Sequence, residues 1–186
     1  IVKPEYRHKG YGVKLWNHAI NYLGDRAIGL DGVTAQQNNY RKSGFEFHYN
    51  NIRFGGKAKG KSYPSLLTLN SVPFNTLVDY DSKITGFNRS IFLQHWITLP
   101  NSYSLAKIEK QELVGYGLVR KCIKGYKIGP LFANSQAIAD EIYLGLMANI
   151  EGDDITIDIV QSNSNATSLA SHHGLKILGE TARMYK

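Results

Sequence analysis

A chain of 186 residues, 42% hydrophobic and 20% charged, has the balance of a globular protein and is long enough for one large domain or two small ones. No apolar run approaches the roughly 20 residues of a membrane span, and Cys122 is the only cysteine, which excludes an internal disulfide; no secretory signal and a reducing, cytoplasmic setting are expected. The net charge of +7 is concentrated, since the first 72 residues hold 11 Lys/Arg against 4 Asp/Glu and the rest of the chain holds 11 of each. That excess favours a polyanionic partner, although charge alone fits a solvated face equally well. The chain starts with Ile1 rather than Met, so a fragment or processed product is expected.

A short apolar run opens the chain and leads into Tyr6-Arg7-His8-Lys9-Gly10-Tyr11-Gly12, a turn with two glycines and three potential cations. Val13, Trp16, Ile20 and Leu23 then recur at helical spacing, which predicts an amphipathic helix over 12–23 that Gly24-Asp25 ends. RAIGLDGV predicts a short buried strand, and AQQNNYRKSGF a short helix stopped by Gly44. EFHYNNIRF predicts a strand in which Phe45, Phe47 and Tyr49 alternate with polar neighbours.

Residues 56–73, rich in Gly, Lys, Ser and Pro, read as a linker between a first part, 1–55, and a second, 74–186. In the second part FNTLVDYD predicts a strand and residues 89–99 a helix, followed by three strands around YSLAKIEK, LVGYGLVRKC and YKIGPLFA. Ser135 is placed to cap a helix in which Ile138, Ile142, Leu146 and Ile150 repeat every four residues. DITIDIV predicts an alternating strand, NSNATSLASHHGL a helix ending at Gly174, and KILGETARMYK a terminal strand. The order loop, helix, strand, helix, strand therefore occurs twice, which implies two similar modules.

Gly10 and Gly12 at a turn into a helix let backbone N–H groups approach a ligand with no Cβ in the way, and the helix start adds the positive end of its dipole. Such a turn suits a pyrophosphate, with Arg7 and Lys9 as mobile charge at its rim. The two commonest phosphate-loop patterns are absent: position 15 is Leu15, not a third glycine, and the one G-K-S, Gly60-Lys61-Ser62, precedes no helix. The spacing Arg7-x-x-Gly10-x-Gly12 instead resembles the Q/R-x-x-G-x-G/A signature of the GNAT superfamily of acyl-CoA-dependent N-acyltransferases. Val2-x-Pro4-x-Tyr6 is similar to the end of that family's fourth strand, and Tyr40-x-Lys42-x-Gly44-Phe45 to the helix that carries its general-acid tyrosine.

The resemblance implies an α/β (α+β) GNAT fold: the C-terminal half of one GNAT domain, 1–55, then a second, complete but degenerate GNAT-like domain, 74–186, as in two-domain bacterial GNAT proteins. It implies acetyl-CoA as co-substrate and direct attack on it by an amine of a small molecule or peptide. By the same resemblance the backbone of His8, Lys9, Gly10, Tyr11, Gly12 and Val13 would hold the CoA pyrophosphate beside Arg7. Val2 would pair with the pantetheine arm, and Tyr40 would protonate the departing thiolate. The chemistry suits these residue types, because an amine attacking a thioester needs a base, donors for the oxyanion and an acid near sulfur. Tyr40 fits equally an amphipathic residue packed on a sheet.

Departures accompany the match. The family often has Asn seven and Ala four residues before its tyrosine, where this chain has Val33 and Gln36. In the second module Asn163-x-x-Ala166 and Gly174 fit, but Ala170 stands at the tyrosine position and GPLFANSQAIAD lacks the phosphate signature. The family's first three strands and two helices have no counterpart before Val2, so no general base is assigned. The alternative is a non-catalytic GNAT-like module that binds CoA or another anion, or serves as an interaction platform. Nucleic-acid binding ranks below both, since no aromatic-rich RNA-binding strand is present, and no membrane partner is expected. His172-His173 lacks further ligands at metal spacing, so no metal is expected. Trp16 and Trp96 read as core residues, and Asp79, Asp81 and Arg89 as an ordinary surface ion pair rather than pocket lining.

Overall fold

In the computed structural model, which describes residues 2–186, α1 (Tyr11–Leu23) begins where Gly10 takes the left-handed conformation with φ +76°. Trp16 and Ile20 pack from α1 against Phe45, Ala182 and Met184, whereas Val13, on the expected apolar face, is 64% exposed. Ahead of the helix, Pro4–Tyr6 is a single 3₁₀ turn and not the end of a strand. Pro4 has no N–H for a ladder, and the Tyr6 and Arg7 amides bond back to the Lys3 and Pro4 carbonyls at 3.0 and 3.1 Å.

β1 (Gly29–Val33) and α2 (Gln37–Lys42) follow, and Gly44 stops α2 with φ +85°. β2 (Glu46–Lys57) then runs for 12 residues, into the segment expected to be a linker. Phe45 is buried, Tyr49 is half-buried and Phe47 is exposed, so the expected alternation breaks at Phe47. Beyond β2 come β3 (Leu66–Thr68), α3 (Phe74–Thr85), α4 (Ser90–Trp96), β4 (Ser102–Glu109), β5 (Glu112–Lys121) and β6 (Tyr126–Ala133). The chain closes with α5 (Gln136–Ala148), β7 (Asp154–Val160), α6 (Ser164–His172) and β8 (Lys176–Tyr185). The repeated order is thus α1-β1-α2-β2 and α5-β7-α6-β8. The predicted strand at 74–81 is instead the start of α3, because Leu77, Val78 and Asp81 are buried at helical spacing and Pro73 pre-sets the helix start.

Two compact units result. One takes the residues up to Tyr49 together with Thr181–Lys186, and the other takes Asn50–Glu180, so the division falls inside β2 and β8. In the first unit β8 pairs antiparallel with β1, Gly29 opposite Tyr185 and Asp31 opposite Arg183. The second unit has its strands in the order β8-β2-β7-β6-β5-β4-β3. Its pairings are antiparallel between β2 and β7 and from β6 to β3, while β6 and β7 run parallel and pair only from Tyr126–Ile155 to Ile128–Ile157.

Two cores flank the second unit's sheet. Ile138, Ile142 and Leu146 of α5 pack with Val119, Ile128, Ile155, Ile157 and Ile159, and Leu77, Val78 and Leu93 of α3 and α4 pack with Ala106 and Tyr116. Gly115 and Gly117 of β5 let α5 come close: a Cβ at either would stand 2.9 Å from the Ile142 side chain. Among the described residues no helix is long and apolar enough to cross a membrane.

Asp81 and Arg89 form a buried pair rather than a surface one. Arg89 donates from Nε and Nη2 to the two Asp81 carboxylate oxygens at 2.6 and 2.7 Å, the Tyr116 hydroxyl donates to the same carboxylate, and Asp81 is fully buried. Burial pushes the Asp81 carboxyl up, but donation from Arg89 and then Tyr116 outweighs it and holds the group below the usual carboxylate range. Asp79 is exposed and takes no part. Arg89→Met would leave a buried carboxylate without its cation, and a loss of about 3–5 kcal/mol is expected in urea unfolding at neutral pH. A carboxyl depressed on folding stabilises above its unfolded value and stops doing so as pH falls through its folded one. The deficit should therefore shrink below about pH 4, and a deficit flat from pH 7 to 3 would contradict the assignment.

Candidate active site

The turn ahead of α1 presents open backbone donors. No side chain caps α1, and the Lys14 amide is the first to close on the helix, at 3.1 Å from the Gly10 carbonyl. The N–H groups of Tyr11, Gly12 and Val13 therefore begin the helix without intrahelical acceptors. His8 adopts φ +62° and Gly10 φ +76°, so the backbone passes twice through the left-handed region just before the helix starts. Arg7 donates from Nε to the Val2 carbonyl at 3.2 Å, and Lys9 lies 5.5 Å from the centre of the Tyr6 ring. All of Arg7 to Val13 is exposed, and Gly12 faces Val2: a Cβ there would stand 3.5 Å from the Val2 side chain.

Tyr40 is half-buried on α2. Its ring lies 5.8 Å from that of Trp16, which is 5.6 Å from Phe45 and donates from Nε1 to Ser43 at 3.0 Å. Trp16 thus joins α1 to the helix that carries Tyr40. The Tyr40 ring lies against β1 at Gly32, where a Cβ would collide with it. Its hydroxyl has no hydrogen-bond partner among the described residues, so it is available to a ligand.

The opposite face of β1 carries a polar group that sequence reasoning missed. Here Tyr185 and Arg183 of β8 crowd Gly29, whose added Cβ would stand 2.8 Å from the Tyr185 ring and 2.9 Å from the Arg183 guanidinium. Arg183 donates to Asp31 at 3.1 Å and stacks 4.8 Å from the Tyr185 ring centre. The Tyr185 hydroxyl is 3.4 Å from that of Tyr49, and the His48 ring meets Tyr185 edge-on at 4.8 Å. Hydrogen bonding from Tyr49, and then from Arg183, holds the Tyr185 phenol below the ordinary tyrosine value, while the same Tyr185 contact pushes Tyr49 up. Nothing in the local pattern of KILGETARMYK marks these residues, because their neighbours come from strands far away in the chain.

The second unit has a cleft but a closed turn. Past Ile128 and Ile157 the parallel strands part around a cavity of about 380 Å³. Ser135 caps α5 by accepting the Ile138 amide at 3.3 Å, which occupies one donor that is open in α1. The one charged residue of the lining is Asp158, bound by Arg53 at 2.7 and 2.9 Å and by Lys127 at 2.6 Å. Ala170 is buried, with no hydroxyl to offer. His173 meets Asp140 at 2.6 Å and stacks on Tyr143, a local tie between α5 and α6.

This turn, strand and helix arrangement is that of an α/β domain with an uncapped helix start. A family model described as acetyltransferase (GNAT) domain matches residues 77–186, and one described as acetyltransferase (GNAT) family matches residues 1–45. The chain belongs to the GNAT acetyltransferase family. Holothin acyltransferase from a Pseudoalteromonas species is 29% identical over 194 residues, covering all of this chain and 64% of that protein. The uncharacterized N-acetyltransferase YitH of Bacillus subtilis is 28% identical over 171 residues, covering 89% of this chain and 60% of that one. The chain thus spans less than two thirds of the length of these relatives. Among solved structures, a protein described as an acetyltransferase from Pyrococcus horikoshii has a TM-score of 0.78 at 24% identity, over all of this chain and 62% of its own. A tandem GNAT protein from the clavulanic acid biosynthesis pathway has a TM-score of 0.71 at 13% identity, over all of this chain and 72% of its own. These likenesses show the shared fold.

The seating of Tyr40 can be checked directly. Gly32→Val should lift the ring from β1 and loosen its contact with Trp16, so the Trp16 emission, isolated by Trp96→Phe, should shift to longer wavelength. An unshifted spectrum would mean that the ring does not rest on Gly32.

Proposed function

We propose that this chain is part of a tandem GNAT enzyme that transfers an acetyl group from acetyl-CoA to an amine, with the first module as its catalytic part. One observation carries the reading: among the described residues only the α1 turn combines two glycines, an uncapped helix start and nearby cations, while the corresponding turn at α5 is capped by Ser135. In this reading the backbone from His8 to Val13 holds the CoA pyrophosphate with Arg7 beside it, and Val2 pairs with the pantetheine arm. Tyr40 stands ready to give its proton to the thiolate as the C–S bond breaks.

The name of the Pseudoalteromonas relative, which describes acyl transfer to holothin, supports a small-molecule amine as acceptor. The second module contributes structure and its own cleft, without phosphate contacts. The cleft's lining offers an anion no unpaired cation, which sets it apart from the α1 turn.

Two variants of the intact protein test the reading. Gly12→Val puts a branched side chain where the backbone must meet phosphate and should abolish acetyl-CoA binding measured by calorimetry; unchanged affinity would sink the assignment. Tyr40→Phe keeps the ring over Gly32 and removes one hydroxyl used only as the bond breaks. The single-turnover acetylation rate should then fall by about 10²- to 10⁴-fold with little change in acetyl-CoA affinity. Wild-type single-turnover chemistry would make Tyr40 a packing residue and favour a non-catalytic CoA-binding module.

A further inference from the structure

The cleft of the second unit has no part in the transfer reaction read above. We propose that it binds the end of a short, extended, uncharged peptide, which lies between β6 and β7 and answers the backbone groups that these strands leave open; the inference goes beyond the transfer reaction and does not depend on it.

The opening is internal to the sheet. β5 holds the other edge of β6 and β2 holds the other edge of β7, so both strands are paired and only the space between them is free. Its cause is local. Leu131 stands opposite Gly117 and Ile128 opposite Val119, so Gly129 and Pro130 together meet Leu118, a bulge that bends β6. Parallel pairing ends at Ile128 and Ile157, and the next N–H due to β7 falls at Pro130, which has none.

Alternation along each strand shows which groups face the cleft. In β6 the Asn134 amide bonds to the Val114 carbonyl at 2.9 Å, so Asn134 and Phe132 turn to β5, and Leu131 and Ala133 turn their N–H and C=O groups to the cleft. In β7 the Gln161 amide bonds to the Asn50 carbonyl at 2.9 Å, so Gln161 and Ile159 turn to β2, and Asp158 and Val160 turn to the cleft. The Val160 carbonyl already accepts the Asn163 amide at 2.9 Å, which leaves the Val160 N–H and the Asp158 C=O. Leu131 and Ala133 are two residues apart, about 6.6 Å, the repeat at which an extended peptide turns an N–H and a C=O to the same side. Its intervening residues turn theirs to β7. One inserted strand therefore serves both edges.

The lining sets the rest of the chemistry. Ile157, Ile159 and Leu169 are buried and Ala139 and Ala166 are half-buried, so the side chains that fit are small and apolar. The Asp158 carboxylate is bound by Arg53 and Lys127, and a charged chain end would be desolvated in the cleft without a counter-ion. The wedge closes at Ile128 and Ile157, so the peptide enters by an end, and that end is blocked or amidated. A volume of about 380 Å³ is that of a small-molecule site and holds a short segment rather than a folded partner. An acyl-CoA arm fits less well, because Ser135 occupies a donor at the α5 start and the two amides of such an arm are one atom out of the α-peptide repeat.

The test titrates the intact protein with N-acetyl-alanyl-valyl-alaninamide and follows amide hydrogen exchange by NMR. At ten times the peptide's Kd, exchange from Leu131, Ala133 and Val160 should slow by about 10-fold, while Phe132 and Ile159, already in ladders, should not change. Methylating the peptide's N–H groups in turn should weaken binding by about 2- to 10-fold for each. The same tripeptide free at both ends, and so charged whichever end enters, should not compete. Slowed exchange at the three amides with pantetheine but not with the peptide would overturn the peptide assignment. Unchanged exchange at all three amides up to the solubility limit of the blocked peptide would overturn the site.

Discussion

Residues 51–57 of β2 pair with β7, and residues 181–185 of β8 pair with β1, so each compact unit depends on a strand end that belongs by chain position to the other half. This reciprocal pairing constrains everything else. β1 is five residues long and contains two glycines, which on its own is a poor strand. Its ladder, and the Ala182 and Met184 side chains that pack under Phe45, come from the far end of the chain. Closing so long a loop costs little more than closing a moderate one, because the entropy grows only logarithmically with length. The larger consequence is kinetic, since pairings this distant in sequence slow folding.

Two helix starts at matching places in the repeated order have diverged by one capping interaction and a few side chains. At α1 glycine occupies the cap position and the first amides stay open; at α5 the Ser135 hydroxyl takes one of them. A serine cap is worth about 1 kcal/mol over alanine but only a few tenths over glycine, so the glycine start at α1 forgoes a small part of a common source of stability. Such an omission is understandable where an anion is to occupy the same donors. The Asp158 site tells the same story in reverse, as its carboxylate is held below the usual range by Arg53 and then Lys127 against the upward push of burial, which leaves both cations occupied.

Much of this was legible in the sequence. The helix at 11–23, the Gly44 and Gly174 stops, the Ser135 cap and the alternating strand at 154–160 follow from local patterns that act over one or two turns. Failures came where a tertiary partner decided. FNTLVDYD has the composition of a strand, yet the core under α3 needs Leu77, Val78 and Asp81 on one side, and Asp81 is acceptable there only because Arg89 and Tyr116 meet it. The Gly- and Lys-rich run at 55–57 looks like a linker because its side chains are small; Gly55 and Gly56 are small because Leu178 and Leu175 lie against them. The α1 turn was readable because its function is backbone chemistry, which glycine spacing records. The Tyr49–Tyr185 pair was not, because a hydrogen bond across two strands leaves no spacing in either.

The glycines of β1 connect these observations. Gly29 and Gly32 sit on opposite faces, and each lies beneath an aromatic ring, Tyr185 on one side and Tyr40 on the other. A strand between two flat rings cannot carry side chains at both positions, so the sequence gives up strand propensity there. Stability lost at β1 has to be supplied by its partner, and the Ile28–Lys186 hydrogen bonds at 3.0 and 2.9 Å extend the β1–β8 ladder by one more pair. The strand that holds β1 in place is therefore the same strand that brings Tyr185 and Arg183 to its surface. The β8 ladder and the polar group on that face are built from one segment, which ties the stability of the first unit to the chemistry available on it.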